Sequence, residues 1–482
     1  MTADLATISQ AFCTIQDSHI LVVGDVMLDR FVDGHVSRIS PEAPVPILEK
    51  SAVKQMPGGS ANVACNLAFL GAKTTLIGVI GDDESGQLLV AELGKNPSIT
   101  FLPHIVAGRP TTLKTRYRAA GQQILRVDDE DMSPLASDAT KAILSQIEVS
   151  LKSTPAVDAV IISDYAKGCL TPTIIQKIVA LCKKAGIKSV ADPKLADFSA
   201  YHGVDILTPN LAELRAASDA TLTDIDDIVT VAHDLVIKHE LGAILATLSA
   251  RGMVLTMAGG TTIHGAATAR DVFDVSGAGD TVVAAVAACV AQNIEPPLAV
   301  DIANLAAGVA VAKSGTAIVS PGEVLGQLHA PQIATDWPHW AEQCRQWREN
   351  GVKIGFTNGC FDLLHPGHIY LLQQAASYCE RLIVGVNSDR SVKRLKGNSR
   401  PLQACDSRAS VLSSLPFIDG VAVFDEDTPL DLVSILQPDV IIKGGDYTAT
   451  DVVGADIVNA RGGEVVIIPT LGTFSSSTII NR

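Results

Sequence analysis

Two short segments hold residue types and spacings that could do chemistry. In DVSGAGDT, residues 274–281, small residues let the backbone N–H groups of Gly277, Ala278 and Gly279 approach an anion closely. The apolar stretch that follows reads as a helix, whose N-terminus adds about half a positive charge. A phosphoryl group in flight carries negative charge on its oxygens, so this cradle suits its transition state. Asp280 in the first turn has two readings: a base that accepts a proton from an attacking hydroxyl, or an acidic residue capping the helix. In NGCFDLLHPGHIYLL, residues 358–372, His365 and His368 flank Pro366 and Gly367. Pro366 suits the first position of a helix. The histidines are then metal ligands, a turn cap, or hands for a phosphate on the helix N-terminus. Metal needs a third and usually a fourth ligand, and beyond Asp362 this half has no further His/Cys cluster. Phosphate contact is the preferred reading.

Other polar groups fall at strand ends or helix starts. GDVMLDR ends a strand with Asp25 and Asp29, and MPGGSANVACNLAFLGA sets Gly58 and Gly59 before a small-residue helix carrying Asn62. TPNLAE, residues 208–213, places Asn210 and Glu213 where water, Mg²⁺ or phosphate would sit. In TLKTRYRAA, Lys114, Arg116 and Arg118 alternate along an expected strand and so share one face. A solvated edge is the plainer reading; a phosphorylated substrate would need such a face, and Lys167 of SDYAKG with it. Later, NSDRSVKRLKGNSRP reads as a basic loop with Lys393, Arg394, Lys396 and Arg400. KGGDY, with Lys443 and Asp446, ends a further strand. GTFSSSTII leads into a final short helix whose residues 475–478 offer hydroxyls and N–H groups to phosphate.

The elements that must position these groups are short Val/Ile/Leu runs separated by helical stretches. HILVVGD, VDAVIISDY, IKSVADPK, VDILTPN and GAILATLS have the unbroken apolar character of parallel strands covered on both faces. Between them, segments such as TIIQKIVALCKKAG keep helical period and end in glycine. The class is α/β. The pattern breaks at residues 320–350, which hold three prolines and all three tryptophans. A second series then follows: VKIGFTNG, RLIVGVNSD, GVAVFDED, PDVIIKGGD and GGEVVIIPT, five strands of a compact doubly wound domain. The reading is a domain over 1–325, a linker and amphipathic helix over 326–349, and a second domain over 350–482. The two series carry different motifs, so the chain is a fusion and not a repeat.

Composition agrees and excludes some functions. The chain has 482 residues, 47% hydrophobic and 18% charged, with a formal net charge of −15. That is a folded, core-rich chain without the basic field of a nucleic-acid binder. Its nine cysteines include no C-x-x-C pair, which argues against a zinc ribbon or redox motif. The start MTADLATISQ lacks the pattern of a signal peptide, and TVVAAVAACVAQN is too short to span a bilayer. A cytoplasmic protein is expected.

Taken together, the Gly-Gly segment and D-x-x-G-A-G-D resemble the signatures of the ribokinase-like carbohydrate kinases, the PfkB family, over about residues 15–325. That resemblance implies Asp280 as catalytic base and Gly277, Ala278 and Gly279 as anion hole. It implies that Asn210, Leu211, Ala212 and Glu213 serve ATP, with Glu213 reaching Mg²⁺ through water. Asp29, Gly58, Gly59 and Asn62 would bind the sugar, with Arg116, Arg118 and Lys167 on its phosphate. A monovalent-cation site in this half belongs to the same expectation. There is no P-loop motif. From about residue 350, HPGH and SSSTII resemble the cytidylyltransferase-like nucleotidyltransferases, on a Rossmann-like doubly wound fold. There His365 and His368 would be catalytic. Thr357, Asn358, Gly359, Phe361, Asp362, Lys396, Ser476, Ser477 and Thr478 would hold nucleotide, and Lys443 and Asp446 the sugar phosphate. The whole chain resembles the family of bifunctional heptose-phosphate kinase/adenylyltransferases, which make ADP-heptose for the lipopolysaccharide core from heptose phosphates and ATP. A homodimer through the kinase half is implied, with no nucleic-acid or membrane partner. The alternatives are another sugar phosphate or CTP as substrate, or a non-enzymatic nucleotide-sugar sensor.

Overall fold

The structure, a computed structural model, describes residues 5–469 except 120–121, 221, 268–274, 276, 314–317, 329–331, 335–336, 350, 416, 446–447 and 449–450. The chain divides into two compact units, Met1–Gln327 and Leu328–Arg482.

The first unit is built on a nine-stranded sheet. From one edge its strands are Thr262–Gly265, Met253–Met257, Ala243–Thr247, Ile206–Leu207, Lys188–Asp192, Ala159–Ser163, His19–Gly24, Lys73–Gly81 and Ile99–Val106. Seven pair in parallel, and Met253–Met257 pairs antiparallel with both Ala243–Thr247 and the edge strand Thr262–Gly265. His19–Gly24 and Ala159–Ser163 are buried at every position, as a sheet covered on both faces requires. The covering helices follow local rules. Pro172–Ala185 starts from Thr171, whose hydroxyl accepts the Ile174 N–H, and stops at Gly186 in the left-handed conformation, φ 69°. Ala278–Ala291 has apolar or small residues on all sides and is buried nearly throughout, so it runs through the core. Strand order reverses between His19–Gly24 and Ala159–Ser163. A crevice for ligands opens beyond the carboxyl ends at such a switch point; Asp25 and Tyr165 lie there.

A second, four-stranded sheet is not apparent in the sequence beyond its Leu113–Ala119 strand. Its order is Pro46–Gly59, Val26–Ile39, Leu113–Ala119, Gln122–Asp129. The outermost strand is exposed at every residue and includes Ile124, Leu125 and Val127.

The second unit has six parallel strands in the order Gln332–Ala334, Gly420–Phe424, Arg381–Asn387, Ile354–Gly359, Val440–Gly444, Glu464–Ile468. Five were expected; Gln332–Ala334 adds an edge strand. Alternate residues of one strand enter different apolar clusters: Ile441 joins Trp340 and Phe356, while Val440 and Ile442 join Leu372 and Val384. The helix Trp337–Glu349 is part of this core. Trp340 is 1% exposed and lies against Gly420, where any β-carbon would overlap its ring. Trp340→Ala is expected to cost about 3–5 kcal/mol. In urea, unfolding of the second unit, which holds all three tryptophans and is followed by the fluorescence of the two that remain, should shift to lower concentration while the transition of the first unit keeps its midpoint.

Candidate active sites

In the first unit Gly59 sits at φ 58° and caps the helix Ser60–Leu70, which a side-chain-bearing residue would strain. At Gly58 a β-carbon would overlap the Asp29 carboxylate. The pair therefore lets the sheet and helix close on each other, and Asn62 in the first turn points at Asp280. Its Nδ2 donates to Asp280 Oδ2 at 2.6 Å. The Tyr165 hydroxyl donates to Asp280 Oδ1. Asp280 is 8% exposed. Burial raises its pKa to about 6; the Asn62 and Tyr165 hydrogen bonds oppose that rise and the Asp29 charge adds to it. Gly277 caps the helix Ala278–Ala291 at φ 80°. Beside Gly279 a β-carbon would meet nothing within 4 Å, so space lies open at the helix N-terminus.

The expected basic face exists, and each cation on it is paired. Arg116 binds Asp29. Arg118 meets Asp33 at 2.7 Å, Lys114 meets Asp128 and Glu130 at 3.1 Å, and Lys167 meets Glu130 at 2.7 Å. Asp25, at the carboxyl end of its strand, holds a chain segment in place. Its buried carboxylate accepts the N–H groups of Tyr165, Lys167 and Cys169. Asn210 and Glu213 form a capping box on the helix Leu211–Ser218, and Glu213 also takes Lys194 at 3.2 Å. Leu211 and Ala212 lie in its first turn. Glu213 keeps carboxylate lone pairs beyond those two bonds, which fits a contact to Mg²⁺ through water. Ser276 lies outside the described residues.

In the second unit the strand order reverses between Ile354–Gly359 and Val440–Gly444, and the histidine motif follows the first of these. His365 is the cap of the helix Pro366–Ala376: its Nδ1 accepts the His368 N–H at 3.4 Å. That leaves any ring proton on Nε2. The two imidazoles stack, with centroids 3.7 Å apart. The cap role and the phosphate role thus fall on different atoms of one ring. Burial lowers the pKa of both rings; His368 falls to about 4, with His365 and Lys396 contributing. Both are neutral at pH 7. Phe361, at φ 46°, packs against His368 with centroids 5.2 Å apart.

Beside them the Lys443 ammonium donates to Asn358 Oδ1, and burial pushes it down to about 8. Asp362 is buried and binds Arg400 and the N–H groups of Leu402 and Gln403, at 2.6 and 3.2 Å. It therefore fixes a neighbouring loop. The expected basic loop is in fact the helix Asp389–Lys396, because Ser388 caps it by accepting the Ser391 N–H. Lys396 is exposed in its last turn. Among the described residues, Thr357 Oγ1, His368 Nδ1 and Arg400 Nη2 are buried without a partner, which suits groups awaiting a ligand. Asp446, Ser476, Ser477 and Thr478 lie outside the described residues. No group of three or more His, Cys, Asp or Glu among the described residues is placed to hold a metal ion. Nor is any described helix long and apolar enough to cross a membrane.

Sequence reasoning misses two functional candidates. Tyr165 reads there only as a neighbour of Lys167. Arg408, 1% exposed, donates to the Cys360 carbonyl at 2.6 Å and to Asp389 at 2.7 Å, and so holds the loop before the histidines. Its signal is a charge on the same helix face as Leu412.

Comparison with known proteins gives a family match over each unit. Residues 17–322 match the pfkB family carbohydrate kinases and 356–482 the cytidylyltransferase-like family. In fold, the chain resembles phosphofructokinase-2 from Escherichia coli (TM-score 0.55, 22% identity, 64% of this chain and 98% of that one). It also resembles ribokinase from Arabidopsis thaliana (TM-score 0.53, 21% identity, 64% and 98%). Over its length it is 47% identical to the bifunctional protein HldE of Hyphomonas neptunium, covering 96% of each chain. It is 44% identical to that of a Caulobacter strain, covering 100% of this chain and 98% of that one. The chain belongs to the family of bifunctional HldE proteins, which joins a pfkB-type carbohydrate kinase to a cytidylyltransferase-like domain.

Proposed function

We infer that the chain is a bifunctional enzyme of ADP-heptose synthesis with one active site in each unit. The observation that carries this is the pair of helix N-termini, Ala278–Ala291 and Pro366–Ala376, each presenting ionisable side chains beside its own sheet's switch point. In the kinase, over 1–325, the C1 hydroxyl of D-glycero-β-D-manno-heptose 7-phosphate attacks the γ-phosphorus of ATP. Asp280 takes the hydroxyl proton, and ADP leaves. The N–H groups of residues 277–279 face the transferring oxygens. Asp29, Gly58, Gly59 and Asn62 hold the sugar, and Arg116, Arg118 and Lys167 exchange a carboxylate for its phosphate. Asn210, Leu211, Ala212 and Glu213 serve ATP, which enters with Mg²⁺; a monovalent cation completes this site.

In the transferase, over 350–482, a phosphate oxygen of heptose 1-phosphate attacks the α-phosphorus of a second ATP. ADP-heptose forms and pyrophosphate leaves in line. The protein need only position and stabilise charge: His365 and His368 face the triphosphate with Thr357, Asn358, Gly359, Phe361, Lys396, Ser476, Ser477 and Thr478, while Asp362 serves the nucleotide indirectly by holding the adjoining loop. Lys443 and Asp446 take the sugar phosphate. Of the expected linker and helix over 326–349, the helix Trp337–Glu349 belongs to the transferase core. The enzyme works in the cytoplasm. It is a homodimer through the kinase half, for which exposed Ile124, Leu125 and Val127 supply an apolar face.

The test is mass-spectrometric product analysis with each heptose phosphate and each of ATP, CTP, GTP and UTP. Heptose 1,7-bisphosphate and ADP-heptose are expected from ATP. Turnover of a different sugar phosphate with none of heptose, or a preference for CTP, would overturn the substrate assignment. Lys443 gives a second check. Its ammonium is charged below about pH 8 and neutral above. Transferase kcat/KM should therefore fall about tenfold per pH unit above pH 8. Lys443→Met should be slow throughout and lack that limb.

A further inference from the structure

Tyr165 lies on a segment with no regular structure, yet its position is held from several sides. Its own N–H and those of Lys167 and Cys169 bind the buried Asp25 carboxylate at 2.9, 3.1 and 3.1 Å. Ala166, at φ 53°, donates its N–H to Asp164 at 2.8 Å, and Asp164 is itself bound by the Tyr201 hydroxyl at 2.5 Å. Arg109, with its side chain 10% exposed, donates to the Lys167 carbonyl at 2.7 Å and to the carbonyls of Asp131 and Ser133. The product of all these bonds is one phenol hydroxyl donating to Asp280 Oδ1, opposite Asn62 on Oδ2. A carboxylate offers about four lone-pair positions, so two donors still leave room for a sugar hydroxyl.

We propose that Tyr165 is the positioning residue of the kinase base: its hydroxyl turns the Asp280 carboxylate toward the sugar hydroxyl and keeps it ionised in a buried site. The proposal rests on Asp280 being that base. Burial alone favours the protonated acid, and a hydrogen bond donated to the carboxylate favours the anion. The arrangement follows the general logic of a base oriented by a third group. The surroundings sharpen the need. Asp29 and Asp192 both face this pair, and Glu213 and Lys194 lie next to Asp192. Arg116 is paired with Asp29 and Lys194 is the cation next to Asp192, while Asn62 is neutral. Burial and the nearby carboxylates push the Tyr165 hydroxyl well above its usual value, so it remains a donor across the working pH range.

The experiment is the pH dependence of kinase kcat/KM from pH 5 to 9 for the full native chain, Tyr165→Phe and Asp280→Asn. The urea midpoint of the first unit, followed by far-UV circular dichroism, reports that each variant's kinase unit is folded. For Tyr165→Phe the acid limb should move up by about one pH unit. The loss should then be about fivefold at pH 6, approach about tenfold by pH 5 and be small at pH 9, since one unit corresponds to a tenfold change in ionised fraction well below the pKa. A profile that overlays the native one, or falls by the same factor at every pH, overturns the role of Tyr165. Persistent turnover by Asp280→Asn would instead sink the base assignment, so the two failures are distinguishable.

Discussion

Asp280→Asn is expected to lower sugar phosphorylation by about 10²–10⁴-fold, the span general-base catalysis provides, and to leave nucleotidyl transfer at its native rate. Asparagine keeps the shape and can still bind Asn62 and Tyr165, but it cannot accept the proton of the sugar hydroxyl. The native acid limb follows from the same group. With a folded pKa near 6, Asp280 is mostly ionised at pH 7.5, and kinase kcat/KM should fall tenfold per unit below pH 6. A coupled ADP-release assay measures the first effect and its pH series the second. Because the raised pKa comes first from burial, it also has a stability consequence. The unfolded carboxyl has the lower pKa, so unfolded chains lose this proton first. Between about pH 4 and 6 this group makes folding less favourable as pH rises, and above 6 the penalty is constant. Asp280 is thus held at a cost to the fold, as groups poised for proton transfer commonly are.

His368→Ala should have the converse effect: nucleotidyl transfer falls by about 10²–10³-fold, and sugar phosphorylation is unchanged. The size follows from losing one preorganised donor where charge builds on the α-phosphoryl group. The stacked partner makes the consequence sharper. His365 spends Nδ1 on the helix cap, so the pair's reach toward a ligand depends on the second ring. Since His368 falls to about 4, it stays neutral through the physiological range, and the acid side of the transferase profile should be flat from pH 5.5 to 7.5. Pyrophosphate release reads both. A near-native rate for His368→Ala would remove the phosphate role argued for that imidazole.

Much of this is legible in the sequence because the signals are local. A strand that is apolar at every position, a proline at a helix start and a glycine at a helix end each act within a few residues. So the two parallel sheets, the core helix Ala278–Ala291 and the placement of His365 and His368 can be read directly. The contacts that make Asp280 a base are not local. Asn62 and Tyr165 lie 218 and 115 residues away, and only the closed fold joins them. The four-stranded sheet is hidden for another reason: Gln122–Asp129 is exposed on both faces, so it lacks the one-sided alternation that marks a half-buried strand. The helix Asp389–Lys396 reads as a loop because its charges hide the Ser388 cap. Asp25 and Asp362 show a recurring ambiguity. A carboxylate at a strand end can hold a ligand or hold a loop, and sequence does not separate the two.

The most direct test of two separate sites acting in series is complementation between the two variants. Heptose 7-phosphate, ATP and Mg²⁺ are supplied with an independent phosphatase that removes the 7-phosphate from the bisphosphate. Asp280→Asn alone and His368→Ala alone should each form ADP-heptose at least about 10²-fold more slowly than the native chain, and an equal mixture of the two should restore it, followed by mass spectrometry. A mixture that stays as slow as either variant alone, while each variant retains the half-reaction assigned to its intact unit, would contradict the account.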